Sequence, residues 1–296
     1  MTAPAVAPVA EFGTGLLHTT ITADGEGGFV WSRRPGPLAP APFAPADPEL
    51  AGRIAAVELP AGVRLVPGAA RGEAREYRVA GARSVADHLI RDGVHPCLEP
   101  ALRGLGAALA ALHALPPPAH RPAAPSRGLA RLEAWLRGRP LQAWAAQAAA
   151  VLRDRIGPDR WARLCAWAAR TAGEPAAGPV LCHGAPGLGS VVFDPHTGVA
   201  AILVGEDLCV APRHADLGWV IGELVELSWR LGGDVRAWQG LTDALLEGYG
   251  HGTELPWNHL AAVRIALHLH DYTAYVAWDP AECERYAHFL GYLIDL

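Results

Sequence analysis

Lysine is absent from this chain: all 25 basic residues among its 296 are arginine. Every cationic side chain is therefore a guanidinium, the better fork for carboxylate or phosphate. With alanine, glycine and proline so frequent, the codon bias of a GC-rich genome explains that usage more simply. Positive charge is also in deficit. The formal net charge of −5 argues against a nucleic-acid binder, which is usually basic. The five cysteines, Cys97, Cys165, Cys182, Cys209 and Cys283, are odd in number and widely spaced. Without a CxxC pair, a zinc site or disulfide framework is not expected, and no metal or cofactor is assigned. No apolar run approaches the roughly 18–20 residues of a membrane span. The N-terminal stretch Met-Thr-Ala-Pro-Ala-Val-Ala-Pro lacks positive charge and is interrupted by proline, so no secretory signal is expected. A cytoplasmic protein is the default, and no internal repeat is visible.

What is present is enough for a large core: 51% of residues are hydrophobic and only 19% charged. The length suggests two lobes. Leu16–Ala23 and Phe29–Arg33 read as a hairpin around the turn cluster Asp24–Gly28. Prolines 35, 37, 40, 42, 45 and 48 mark a loop, after which Asp47 can cap a short helix with Pro48 in its first turn. Val57–Leu59, Val63–Val66 and Glu76–Val79 are candidate strands. From Ser84 the texture becomes helical. Leu102, Leu105, Leu109 and Leu112 recur at helical spacing, and residues 127–172 read as two or three helices. Short apolar runs at Val180–Leu181, Val191–Phe193 and Ala201–Leu203 read as strands. Further helices are expected near 217–231, 237–249, 257–277 and 280–294. The expectation is an α+β, bilobal chain: a reduced β-rich lobe over 1–80, a hinge near 79–84, and a large helical lobe over 81–296.

The most informative stretch is Leu181-Cys-His-Gly-Ala-Pro-Gly-Leu-Gly-Ser190. It resembles the catalytic loop of the aminoglycoside phosphotransferase/choline kinase-like family, which has a protein-kinase-like fold and reads His-Gly-Asp-x-x-x-x-Asn. His183 and Gly184 fit that pattern, whereas the Asp position holds Ala185 and the Asn position Ser190. Three further stretches are similar to the family: Leu98–Pro116 with its Leu-His pair, Asp194–Gly198 after the loop, and Asp216-Leu-Gly-Trp219 at the next helix. The resemblance implies that the lost Asp would accept the substrate hydroxyl proton and the lost Asn would hold Mg²⁺. It also implies that the hinge backbone would contact adenine. Counting from the flanking motifs puts the family's second metal ligand at Val204 or Gly205, neither of which offers the oxygen a hard cation wants. The strand Phe29-Val-Trp-Ser32 resembles the one that presents a phosphate-binding lysine, with Ser32 in that place and Arg33 and Arg34 beside it. Gly13-Thr-Gly15 sits where a nucleotide-covering loop would.

These substitutions identify the chain as a degenerate member of the family, a pseudokinase. Candidate site residues are His183 and Asp216, each either catalytic or a brace for the loop, and Glu206, Asp207, Arg213 and His214, which are expected to line the old cleft. His113 reads as a satisfied histidine, and Trp135, Trp144, Trp161 and Trp167 as core. Cys182 is either a packing residue or a thiol coupled to His183. One function is a cleft reused for a peptide or small molecule. In its most concrete form this is a thioether (lanthionine-type) cyclase or peptide-holding component of a ribosomal-peptide pathway, working beside a partner kinase and lyase. Glu206, Asp207, His214 and Arg213 would supply acid and base. The alternatives are a non-catalytic subunit that stabilises an active enzyme, and an atypical small-molecule phosphotransferase using Glu206 or Asp207.

Overall fold

The computed structural model describes residues 7–173, 178–250 and 256–296. Residues 1–6, which hold most of the N-terminal stretch considered for a signal, lie outside the described residues. Three strands open the chain: β1 (Ala10–Gly13), β2 (Leu17–Ala23) and β3 (Phe29–Pro35). The β2–β3 turn is tied by Asp24 Oδ1, which accepts from the Glu26 and Gly28 N–H groups at 2.8 Å. Helix α1 (Pro48–Ala55) starts as its sequence predicts: the Asp47 side chain accepts from Leu50 N and proline occupies the first turn. Next come β4 (Val63–Pro67), β5 (Ala69–Arg71) and β6 (Ala74–Val79). Five of these strands form one antiparallel sheet in the order β1-β2-β3-β6-β5. Val57–Leu59 is extended chain rather than a strand, because Val57 and Leu59 pack on the core with no ladder beside them.

Beyond the hinge lie α2 (Val85–Asp92), capped by Ser84, α3 (Glu99–Ala114), α4 (Arg127–Leu136) and α5 (Ala143–Ala172), which breaks at Gly157–Pro158. The strands β7 (Val180–Cys182), β8 (Val191–Asp194), β9 (Val199–Val204) and β10 (Cys209–Ala211) follow. Four helices complete the chain: α6 (Arg213–Leu231), α7 (Val235–Tyr249), α8 (Trp257–Tyr275) and α9 (Pro280–Asp295). The molecule is bilobal, a small β-rich lobe on a large helical one. One strand crosses over: β4 pairs in parallel with β9, in a three-stranded sheet β4-β9-β8, so a strand from the N-terminal segment lies beside the strand that leads into the cleft.

The leucine stripe of α3 is fully buried, and α3 crosses α7 through glycines. A Cβ at Gly106 would lie 2.0 Å from Leu245 O, and one at Gly248 1.9 Å from Arg103 O. Only hydrogen at those positions lets the backbones approach so closely. A second core joins α4, α5, α8 and α9 around Trp135, Leu164, Ile265 and Leu290. Trp135 and Trp167 are core, whereas Trp144 is exposed, a departure from the expected packing of all four tryptophans. Among the described residues no helix is long and apolar enough to cross a membrane.

Candidate functional site

A cleft of about 310 Å³ lies between the five-stranded sheet and α4, α6 and α8. Its floor is the His183–Ser190 loop. Gly184 has φ +89°, and a Cβ there would stand 1.9 Å from Asp207 O, so the loop passes the β9–β10 connection only because residue 184 is glycine. Asp216, in the first turn of α6, is 1% exposed. Its carboxylate accepts from His183 N at 2.7 Å, Gly184 N at 2.9 Å and His113 Nε2 at 3.0 Å. Burial alone would raise its pKa. The His113 hydrogen bond, the nearby imidazoles and the Gly184 N–H outweigh that and hold it below the usual range.

His183 Nε2 lies 2.8 Å from Leu203 O, which can only accept, so that nitrogen carries the proton. Nδ1 then faces the Ala185 N–H at 3.4 Å. Both ring nitrogens are engaged in holding the loop, so His183 and Asp216 brace it. Cys182 Sγ points away from His183, toward Ala211 O at 3.5 Å. Hydrogen bonding with Cys209 and then burial push its pKa well up, which removes thiolate character. Ligand atoms of His113, Cys182 and Asp216 lie within 4.8 Å of one another. The brace already engages both Asp216 oxygens and His113 Nε2, so this group fits a packed strut better than a metal site.

The register of β3 decides which of its residues faces the cleft. Ser32 pairs with Thr20 and Glu76, while Arg33 pairs with Thr19 and Arg75 on the opposite face. Because neighbours alternate, Arg33 and Thr19 line the cleft and Ser32 does not. Arg33 donates from Nη1 to Ser190 Oγ at 3.0 Å and from Nη2 to Gly189 O at 2.6 Å, and Nη1 is 3.5 Å from Glu206 Oε1. Val204 does not line the cleft either. It belongs to β9 and is 1% exposed in the core. The chain turns at Gly205, and Glu206 is the carboxylate that enters the cleft, accepting from Tyr77 Oη at 2.9 Å. Burial, reinforced by the Glu206 charge, raises the Tyr77 pKa well above its ordinary value, so the phenol stays a donor.

Asp207 also lines the cleft, with Oδ1 3.1 Å from Arg127 Nε. Burial raises its pKa, against the pull of Arg127. Arg213 and His214 do not line the cleft, contrary to expectation. They open α6 beyond the Asp216 brace, where His214 is buried and its Nε2 lies 3.4 Å from Arg170 O. Sequence reasoning missed Arg127 and Arg131 on α4, Trp219 and Glu223 on α6, and Arg264 and Asp271 on α8, all in the cleft wall. The spacing of the first two pairs, four apart on a helix, was the available signal. Arg131 holds Asp271 through a fork at 3.1 and 2.7 Å. Burial would raise the Asp271 pKa, but Arg131 and His270 bring it down to about 2.

A third apolar cluster joins the sheet to β8 and β9. Trp31 is 2% exposed, packed with Ile21, Tyr77 and Val79 from the sheet and with Val192 and Leu203 from below. Its Nε1–H donates to Gly81 O, two residues after β6, at 3.0 Å. The β1–β2 turn is closed on itself. Thr14 N donates to Leu17 O and Gly15 N to Tyr275 O, while Leu16 N and Leu17 N both reach Thr14 Oγ1.

Among solved structures, the chain is similar in fold to the amicoumacin kinase hAmiN, solved with AMP-PNP, Ca²⁺ and Ami. That match has 12% identity and TM-score 0.60 over 97% of this chain and 87% of that one. The ethanolamine kinase of Plasmodium vivax matches at 12% identity and TM-score 0.52 over 99% and 83%. ADP-bound aminoglycoside phosphotransferase APH(2'')-Ib matches at 10% identity and TM-score 0.51 over 98% and 94%. No curated protein matches the sequence. The model of the phosphotransferase enzyme family matches residues 90–264, more than half the chain and the segment holding the loop, its brace and most of the cleft wall, so the protein belongs to that family.

Proposed function

We propose that this member of the phosphotransferase family no longer transfers phosphate and that its cleft binds a small ligand instead. The observation that carries the reading is Trp31. In this family the hinge backbone receives adenine, and here the chain after β6, the expected hinge, has its Gly81 carbonyl taken by a buried indole at 3.0 Å. The other components agree. The residue at the proton-accepting position is Ala185, and the hydroxyl of Ser190 is engaged by Arg33. The N–H groups of the covering turn, which would face phosphate oxygens, are bonded within the protein. A Mg²⁺–nucleotide does not fit these residues. A hard cation needs several oxygen ligands, and Glu206 already has a guanidinium against it while Glu223 is engaged by Leu188 N. Calorimetric titration with ATP, with and without Mg²⁺, should give no binding heat. Mg²⁺-dependent binding with turnover would sink the proposal and point to Glu206 or Asp207 as surrogate groups.

A second, narrower reading is thioether ring closure on a peptide that docks at the cleft. It needs an acid and a base without nucleotide. Glu206 and Asp207 support it, since both face the cleft and burial raises the Asp207 pKa. Arg213 and His214 drop out as participants. A dehydrated peptide should then cyclise faster with the protein than without it, and equal rates would end this version. A stabilising-subunit role finds support in an apolar groove along α6, α7 and α9, with Val235, Trp257 and Tyr292 exposed.

A further inference from the structure

Four guanidiniums and four carboxylates face the cleft, and three of each are matched: Arg33 with Glu206, Arg127 with Asp207, Arg131 with Asp271. Arg264 is paired only at the edge of ion-pair distance. Its nearest carboxylate oxygens are 4.0 Å away on Glu223 and 3.9 Å away on Glu226, beyond hydrogen-bond distance. Both acids are drawn elsewhere. Glu223 accepts from Leu188 N at 3.0 Å, and Glu226 accepts from Tyr286 Oη and from His268 at 2.6 Å. Arg264 is nonetheless ordered. Its guanidinium lies over the Trp219 ring at 4.9 Å from the centroid, its side chain is 13% exposed, and its Nε is buried without a partner. A largely buried guanidinium that has ion-pair partners but no hydrogen-bond acceptor gains from any group that supplies one.

We propose that Arg264, backed by Trp219, receives the oxyanion of a small ligand, a carboxylate or phosphate carried on an apolar body. The planar fork suits either group. The apolar body has a wall to lie on, made by Phe12, Leu16, Leu17 and Phe43. A volume of 310 Å³ is at the small end of ligand sites and admits a head group and one ring rather than a folded partner. Arg33 adds a second donor without a partner, its buried Nε, at the β3 side of the same cleft. This inference rests on the proposal that the cleft serves a ligand other than nucleotide.

The test is titration of the whole chain at low salt with phenylacetate, phenyl phosphate and the neutral phenylacetamide. At least one anion should bind, at least tenfold more tightly than the amide, and the two anions separate a carboxylate ligand from a phosphate one. Arg264→Gln should weaken that anion at least tenfold, and Arg264→Lys, which keeps the charge without the fork, should fall between. Unfolding midpoints of both variants check the fold. If neither anion binds, if the amide binds equally well, or if both folded variants keep wild-type affinity, the proposal is overturned. These titrations contain no nucleotide. Turnover of MgATP in the parallel experiment would therefore refute the loss of phosphoryl transfer without being confused with failure of the anion site.

Discussion

Trp31 is where the closed hinge can be tested most directly. Trp31→Ala removes an indole that is 2% exposed between the two lobes. Large-to-small changes of this kind cost about 3–5 kcal/mol. The Gly81 carbonyl also loses its 3.0 Å donor, which adds about 1–3 kcal/mol if water cannot reach it. Trp31→Phe keeps most of the packing and loses the N–H, so about 1–2 kcal/mol is expected from the unmade hydrogen bond. Urea unfolding followed by circular dichroism measures both, and an unchanged slope would show that the denatured state is unaffected. The void left by Trp31→Ala is flat, apolar and beside a free carbonyl. Added indole or adenosine should therefore raise the unfolding midpoint of that variant and leave the wild type unmoved, as an apolar cavity can take up an aromatic ligand. A cost below about 1 kcal/mol for the alanine variant would refute the packing argument. Stabilisation of the wild type by adenosine would refute the closed hinge.

Three further outcomes follow from contacts elsewhere in the molecule. Arg33→Met should destabilise by about 3–5 kcal/mol, because Glu206 is left buried without its guanidinium, and adding Glu206→Leu should recover part of the loss. A double-mutant cycle checks this, and additivity within about 0.5 kcal/mol would show that the pair is not coupled. Asp271 has a folded-state pKa of about 2 against an ordinary 3.8. Its contribution, about 2 kcal/mol, is full above the ordinary value and fades as pH falls toward 2, so Asp271→Asn should flatten the acid limb of stability against pH. An acid limb that survives the substitution unchanged would rule this out. For thiol labelling of the native protein, exposed Cys97 should react first. Buried Cys182, and Cys283, whose pKa burial lifts to about 11, should stay silent until unfolding. Equal labelling rates for Cys97 and Cys182 would mean that the loop brace opens.

Local chemistry was the most legible part of the chain. Asp47 with Pro48, and Ser84, announced helix starts because a cap is a contact between residues three apart. The leucines of α3 announced a buried face because helical geometry alone brings them together. The edge strands β1 and β5 went unread. They are short and mostly exposed, and they exist as strands because β2 and β6 offer them a partner. Which residues of β3 and of the β9 end meet the cleft was not legible: Arg33 and Glu206 line it, and Ser32, Val204 and Gly205 do not. Alternation states which neighbours share a face but not which face meets the cleft, and a shift of one inverts the answer.

The sequence by itself determined a loop that resembles the family's, with Ala185 and Ser190 two and seven residues after His183, and a basic complement made of arginine without lysine. Those are statements of covalent identity, unaffected by how the chain packs. Tertiary structure decided what the loop faces. It brought Arg33 from β3, Arg127 from α4, Glu206 from beyond β9 and Arg264 from α8 to one cleft, and it turned Arg213 and His214 away from it. It also put Trp31 against Gly81 O, because the sheet closes on β8 and β9 with that face inward. Arg33 and Glu206, in contact in the cleft, are 173 residues apart in the chain. At that distance only packing of the two cores, and no local rule of spacing, sets which side chains meet.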